Sequence, residues 1–158
     1  MKQLFLVRHA KSDGADPQLP DKDRKVTAQG QQQVAYLAER LKRDKVKPGL
    51  MLCSDATRAQ QTAQQLAVDL GVSKEAIQIK PVLYEESVSL LIEAIKAVPE
   101  DVQCLMIVAH NPTLSWFATY LNHDEPVSLS TCGLFAIQFE IKSWLEITEV
   151  EGEVVEIP

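Results

Sequence analysis

The sequence contains no apolar run long enough to cross a bilayer. A transmembrane helix needs roughly 18 or more consecutive apolar residues, whereas the apolar stretches here are about strand length. The N-terminus has a lysine, a short apolar run and an arginine, without the small-residue cleavage site of a signal peptide. We therefore expect no membrane partner and a cytoplasmic location.

Cysteine and clustered basic residues are also scarce. The three cysteines, Cys53, Cys104 and Cys132, are odd in number and lack Cys-x-x-Cys spacing, which argues against a disulfide framework and a zinc ribbon. The net charge is −6 and no block of lysine and arginine occurs, so we expect no nucleic-acid partner. An anionic substrate would have to be attracted by a local group of cations.

Strands and helices alternate along the chain without an internal repeat. Patterns typical of buried strands cover Leu4–Val7, Leu50–Cys53, Ile77–Ile79 and Cys104–Ala109. Amphipathic helix patterns lie between them, so we predict a single domain over 1–158 with an α/β fold, in which helices cover both faces of a mostly parallel sheet. Leu145–Val150 and Val154–Ile157 are predicted to form a closing hairpin.

Polar residues lie just after three of these strands. Arg8 with His9 follows the first strand and His110 with Asn111 follows the last, while Ser54 follows Cys53 and Arg58 comes one helical turn later. Because ligands bind outside the carboxyl ends of parallel strands, we expect these side chains to share one edge of the sheet.

Paired arginines and histidines favour a phosphoryl site, since guanidinium forks match phosphate oxygens and helix N-termini offer free N–H donors. Zinc is the alternative for paired histidines, but a catalytic zinc usually takes three protein ligands. The sequence places no third ligand beside His9 and His110, and His123 lies among polar loop residues, where a surface position is expected.

Three blocks resemble the signature blocks of the histidine phosphatase, or phosphoglycerate mutase-like, superfamily. They are Leu6–Ser12, Ser54–Ala63 and Ala109–Leu114, in the family's order and at about its spacing. The resemblance covers most of the chain and implies a three-layer α/β/α sandwich of the phosphoglycerate mutase-like kind. The short length and the Arg-His-Ala-Lys sequence are similar to those of the SixA-type phosphohistidine phosphatases.

The resemblance implies that His9 is the nucleophile and that Arg8, Arg58 and His110 hold the phosphoryl oxygens. An attacking imidazole must be neutral, and nearby arginine charges lower the pKa of a histidine. Two arginines and a protonated His110 would then neutralise the oxygens without a metal or another cofactor.

Four other residues are candidates for supporting roles. Arg24 matches a basic position that SixA-type members place beside the pocket, and Ser54 and Asn111 are candidates for its edge. Many superfamily members carry a glutamate general acid in a Leu-x-Glu turn, which Glu85 fits, but SixA-type sequences often lack it. Glu85 is thus either a general acid or an exposed loop residue. A weak or absent acid favours phosphohistidine, because imidazole leaves more readily than an alkoxide.

These observations predict a metal-independent phosphatase that acts on phosphohistidine of a signalling or phosphotransfer protein and releases inorganic phosphate. The chain has no room for the insertions with which mutases cap their sites, so hydrolysis is expected. One alternative is a phosphomonoesterase acting on a sugar phosphate or nucleotide. The other is a phosphate-binding module without turnover.

Overall fold

The computed structural model describes residues 1–14 and 16–158. The strands of this part of the chain are β1 Lys2–Arg8, β2 Leu50–Cys53, β3 Ile77–Ile79, β4 Cys104–Ala109, β5 Leu134–Phe139 and β6 Glu153–Val154. Its α-helices are α1 Ala28–Arg43, α2 Thr57–Leu70, α3 Val88–Lys96 and α4 Thr113–Leu121. None of these helices is long and apolar enough to span a membrane.

The six strands form one sheet in the order β3-β2-β4-β1-β5-β6. The first four of these neighbours pair in parallel, and β5 and β6 add two antiparallel strands at one edge. Arg8, at the end of β1, lies opposite Ala109 at the end of β4, and Cys53 of β2 lies opposite Val108. The carboxyl ends of β1, β2 and β4 are therefore neighbours, as the sequence predicts.

Helices cover both faces of the sheet, because alternate residues of a strand point to opposite sides. Leu4 and Leu6 belong to a buried cluster that includes side chains of α3 and α4. Phe5 and Val7 belong to a second cluster, with α1 and α2. The predicted three-layer sandwich with a mostly parallel sheet is thus confirmed.

The predicted closing hairpin is wrong. A 3₁₀ turn, Trp144–Glu146, lies at the start of the predicted Leu145–Val150 strand, and residues 145–150 form no strand. Within the predicted Val154–Ile157 strand, Val154 pairs with β5 instead. The turn forms because the Trp144 side chain is fully buried and because Ser143 and the glutamate of the turn cap each other's backbone N–H groups.

A buried glycine in the first turn of α1 carries a testable consequence. An alanine Cβ at Gly30 would clash with the carbonyl oxygen of Lys11 and lie 2.7 Å from Cγ1 of Val26. We expect Gly30→Ala to lower the free energy of unfolding by about 1 kcal/mol or more, because overpacking outweighs the better helix propensity of alanine. Denaturant unfolding measures this change.

Gly49→Ala is the matched control. A Cβ there would come no closer than 3.8 Å, to the carbonyl oxygen of Cys104, so we expect its stability to equal that of the wild type. Equal stabilities for the Gly30 and Gly49 variants would contradict the tight contact at α1.

Candidate active site

The ends of β1, β2 and β4 bring two histidines, an arginine and a serine into contact. The ring centroids of His9 and His110 are 5.1 Å apart. Nε2 of His110 lies 2.7 Å from Oγ of Ser54, and Nε of Arg58 lies 3.4 Å from Nε2 of His9. The structure therefore gathers the residues that the sequence analysis placed at this edge.

His9 is buried and held by its backbone and its ring. Its N–H donates to the carbonyl of Ala109, and its own carbonyl accepts from the N–H of Cys132. Nδ1 lies 2.8 Å from the carbonyl oxygen of Ala10. Because a carbonyl oxygen only accepts, Nδ1 carries the ring proton and Nε2 keeps a lone pair, toward which the Nε–H of Arg58 points.

Burial, together with the positive charges of Arg58 and Arg8, lowers the pKa of His9 to about 4. The imidazole is therefore neutral near pH 7. A neutral ring with an unprotonated Nε2 beside a guanidinium is suited to attack a phosphorus atom whose oxygens are held by that guanidinium.

His110 corrects one expectation of the sequence analysis. Burial, with the neighbouring His9 and Arg58, lowers its pKa to about 3, so His110 is neutral in this pocket and not protonated. The physical reason is that a second buried cation beside an arginine is disfavoured. The His110 ring also makes a T-shaped contact with the Tyr84 ring, and the two ring centroids are 5.4 Å apart.

Arg58 lies in the first turn of α2 and is buried. Its Nη1 donates to the carbonyl oxygen of Asp21 at 2.7 Å, and its Nη2 donates to Oδ2 of Asp21 at 2.9 Å. Arg24 lies on the other side of the same carboxylate, with Nη1 3.7 Å from Oδ1. Arg24 thus lies beside the site through Asp21.

Arg8 and Asn111 meet at a carbonyl group. Nη1 of Arg8 donates to the carbonyl oxygen of Leu129 at 3.2 Å, and Nδ2 of Asn111 donates to the same oxygen at 2.7 Å. Oδ1 of Asn111 accepts from the backbone and hydroxyl of Ser115. Asn111 therefore helps to hold the Leu129 carbonyl group to which Arg8 donates.

The starts of two helices border the site. Helix α2 begins after Ala56, and Oγ of Ser54 accepts from the Ala56 N–H in the turn before it. Helix α4 begins after Pro112. The start of α2 after Ala56 leaves Ser54 in the junction, where its hydroxyl contacts His110.

Glu85 is exposed. Within the described part of the chain, no hydrogen bond or ion pair joins it to His9, Arg58, His110 or Ser54. Its neighbour Tyr84 reaches the site instead, donating from its hydroxyl to Oδ2 of Asp21 at 2.6 Å. The sequence analysis missed both Tyr84 and Asp21. A signal for Asp21 is its position three residues before Arg24 in a loop already predicted to border the pocket.

Residues 1–14 and 16–158 contain no group of three or more His, Cys, Asp or Glu side chains arranged to hold a metal ion. The side chain of His123 is 58% exposed and contacts Glu151 at 4.0 Å, so it lies at the surface as predicted.

Comparison with known proteins places this site in a family. Residues 4–89, more than half of the chain, match the model of the histidine phosphatase superfamily (branch 1). The chain belongs to the histidine phosphatase superfamily. The matched segment contains His9, Arg8, Arg24 and Arg58, so the shared region includes one side of the site.

Similar proteins extend this result. An uncharacterized chloroplastic protein of Arabidopsis thaliana is 28% identical and aligns over 96% of this chain and 72% of its own length. The fold resembles that of the protein histidine phosphatase SixA in complex with tungstate, with a TM-score of 0.82, 21% identity and coverage of 98% of this chain and 94% of that one. A mycobacterial glucosyl-3-phosphoglycerate phosphatase has a TM-score of 0.69 at 16% identity, with 98% and 97% covered. The fold and family are those of phosphatases.

The electrostatics of the site predict an acidic titration of both histidines. An ordinary histidine titrates near pH 6.5, whereas we expect the imidazole resonances of His9 and His110 to move with midpoints near pH 4 and pH 3. In the unfolded chain these histidines bind protons at a higher pH than they do in the folded protein. The two histidines therefore lower the free energy of unfolding as the pH falls from about 6.5 to their folded pKa values.

Nuclear magnetic resonance of histidine-labelled protein measures these midpoints, with His9→Gln and His110→Gln to assign the signals. Midpoints between pH 6 and 7 for both rings would contradict the neutral, buried pair.

Proposed function

We propose that the protein is a phosphohistidine phosphatase that works through a covalent phosphohistidine on His9. The observation that carries this proposal is the orientation of His9: Nδ1–H is fixed on the Ala10 carbonyl, and the lone pair of the unprotonated Nε2 faces Nε of Arg58. A ring held in this tautomer is ready to attack without first losing a proton.

The proposed reaction has two displacements on phosphorus. In the first, Nε2 of His9 forms a bond to phosphorus while the bond to the leaving group breaks and its electron pair departs with that group. In the second, water attacks the phosphohistidine, the bond to Nε2 breaks, and inorganic phosphate leaves. Arg8 and Arg58 offset charge on the phosphoryl oxygens in both steps, and His110, neutral at rest, supplies a hydrogen bond through its ring.

The carboxyl groups near the site favour a leaving group that needs little protonation. The hydrogen bond from Tyr84, together with Arg58, holds the pKa of Asp21 below its usual range, so this carboxyl is ionised and a poor proton donor. Glu85 is exposed and does not contact His9. An alkoxide leaves poorly without a proton, whereas an imidazole leaves readily, which supports phosphohistidine as substrate.

The proposed substrate is carried by a signalling or phosphotransfer protein. A phosphorylated imidazole is ordinarily the side chain of a histidine, which is why we place the substrate on a protein. The arginines supply the positive charge that the reaction needs, so we propose that the enzyme works without a metal ion or another cofactor. A protein of similar fold holds tungstate, a tetrahedral oxyanion.

Substitution of His9 tests the proposal directly. We expect release of inorganic phosphate from a phosphohistidine-bearing domain to fall by at least about 1,000-fold in His9→Ala, because the nucleophile is gone. We expect the wild type to act faster on phosphohistidine than on para-nitrophenyl phosphate and to keep its rate with a chelator present. The assay is colorimetric phosphate release.

Other results would favour one of the alternatives. Turnover of the ester alone would indicate a phosphomonoesterase, and loss of activity with the chelator would contradict metal independence. Binding of phosphate without turnover of either compound would indicate a phosphate-binding module.

A sugar-phosphate phosphatase is the second candidate, because a glucosyl-3-phosphoglycerate phosphatase shares the fold. That activity requires a general acid that protonates the leaving oxygen, and Glu85 is the candidate that the sequence offers for this role. We expect Glu85→Gln to change kcat on phosphohistidine and on an alkyl phosphate ester, whose alkoxide leaves poorly without a proton, by less than about threefold, because Glu85 lies outside the site.

Glu86→Gln is the matched control for charge in the same loop. A loss of about 100-fold on the ester in Glu85→Gln, with Glu86→Gln unchanged, would make Glu85 the acid and favour the second candidate.

A further inference from the structure

Asp21 is the centre of a charged cluster in front of Arg58, and no motif of the sequence points to it. Its carboxylate accepts from Nη2 of Arg58 at 2.9 Å and from the hydroxyl of Tyr84 at 2.6 Å, both on Oδ2. Arg24 lies 3.7 Å from Oδ1. The backbone carbonyl of Asp21 accepts from Nη1 of Arg58 at 2.7 Å, so this one residue contacts both terminal nitrogens of the guanidinium.

The directions of these bonds determine which donors of Arg58 remain for a substrate. A guanidinium has five N–H donors in a rigid plane. Asp21 takes one from each terminal nitrogen, and the Nε–H points at Nε2 of His9, 3.4 Å away. Because the plane is rigid, fixing its outer end also fixes where the Nε–H points.

We propose that Asp21 is a positioning residue: it clamps the outer end of the Arg58 guanidinium so that the Nε–H and the remaining terminal N–H groups face the phosphoryl group on His9. The inference rests on the proposed function, in which Arg58 offsets charge on the phosphoryl oxygens. Asp21 acts through Arg58 and does not touch the substrate.

The surroundings of Asp21 fit a clamp better than a proton donor. Its three side-chain neighbours are two arginines and a phenol that donates to it, and each of them stabilises the ionised carboxylate. An ionised carboxylate has no proton to give to a leaving group. It can hold a guanidinium with charge-assisted hydrogen bonds, which are about twice as strong as neutral ones.

The loop that carries Asp21 is closed at its base, so the clamp has a fixed support. Ser12 and Val26 form a bridge, and the N–H of Thr27 donates to the carbonyl of Lys11 at 2.9 Å. Lys22 ties the same loop to Asp55 at 3.0 Å, independently of Arg58. Lys22 also lies over the Tyr84 ring, with Nζ 4.6 Å from the ring centroid. Replacing Lys22 therefore loosens the loop while the hydrogen bonds of Asp21 to Arg58 and Tyr84 keep both of their partners.

The clamp predicts that Asp21→Ala lowers turnover but does not weaken phosphate binding. Without the carboxylate Arg58 is free to rotate, so kcat falls by about 10- to 100-fold in Asp21→Ala, the effect of a misplaced transition-state contact. Removing a negative charge beside the pocket also weakens repulsion of a phosphate dianion. Inorganic phosphate should therefore inhibit Asp21→Ala with an inhibition constant equal to or lower than that of the wild type.

The experiment compares four variants of the full chain with the wild type. Asp21→Ala removes the carboxylate, and Asp21→Asn keeps an oxygen acceptor for Arg58 and should recover part of kcat. Tyr84→Phe removes one bond to Asp21 and should lower kcat by less than Asp21→Ala. Lys22→Met should leave kcat within about twofold of the wild type, because the Lys22 side chain contacts Asp55 and the face of the Tyr84 ring but neither Arg58 nor the Asp21 carboxylate.

Three readouts are taken for each variant: kcat on phosphohistidine and on para-nitrophenyl phosphate, binding of inorganic phosphate by calorimetry, and the ¹⁵N resonance of His9 Nε2. The clamp predicts lower kcat, unweakened phosphate binding and a moved Nε2 resonance in Asp21→Ala. A higher kcat would mean that Asp21 obstructs the site. Equal losses of kcat and phosphate affinity, repeated in Lys22→Met, would mean that Asp21 only holds the loop.

The outcomes separate this inference from the proposed function. If the wild type turns over neither compound, the proposed function fails, while phosphate binding and the Nε2 resonance still test the clamp. If the wild type is active and Asp21→Ala matches it in kcat and in the resonance, the clamp fails alone.

Discussion

Parallel pairing of β4 with β1 on one side and with β2 on the other is the constraint on which the site depends. It fixes Arg8 beside Ala109 and Cys53 beside Val108, so the next residue of each strand enters the same small volume. His9, Ser54 and His110 follow at these three points. Each junction is anchored by the backbone, as when the N–H groups of His9 and Ser54 donate to β4 carbonyls. The chemistry therefore rests on the most buried part of the sheet.

Electrostatic balance is the second condition for this site. Arg58 is buried, and Arg8 has a pKa lowered by burial and by the charge of Arg58, so the pocket already holds two unfavourable cations. Burial disfavours a charge on His9 or His110, and the neighbouring positive charge adds to this effect, so both rings remain neutral. Asp21 offsets part of the positive charge from the outside. Burial and the two arginines thus together keep Nε2 of His9 unprotonated.

The strands and the residues directly after them could be predicted from the sequence, because a buried strand has a strong local pattern and its end places the next side chain. His9 and His110 are of this kind. The contacts of Asp21 and Tyr84 could not be predicted, since Asp21 reaches Arg58 from 37 residues before it and Tyr84 reaches Asp21 from a turn 63 residues further along the chain. The closing hairpin was wrong because burial of Trp144 overrides the strand propensity of its neighbours. The lowered pKa of His110 could not be predicted either, because burial is a property of the whole fold.

Isolation of the phosphorylated enzyme tests the central claim most directly. The wild type and His110→Ala would be mixed with a phosphohistidine-bearing domain labelled with ³²P, quenched in alkali, where phosphohistidine survives, and mapped by mass spectrometry and ³¹P resonance. The account predicts a single phosphoryl group on His9, bonded to Nε2, because Nδ1 is fixed on the Ala10 carbonyl. Label on another residue, label on Nδ1, or rapid phosphate release without any labelled enzyme would contradict it.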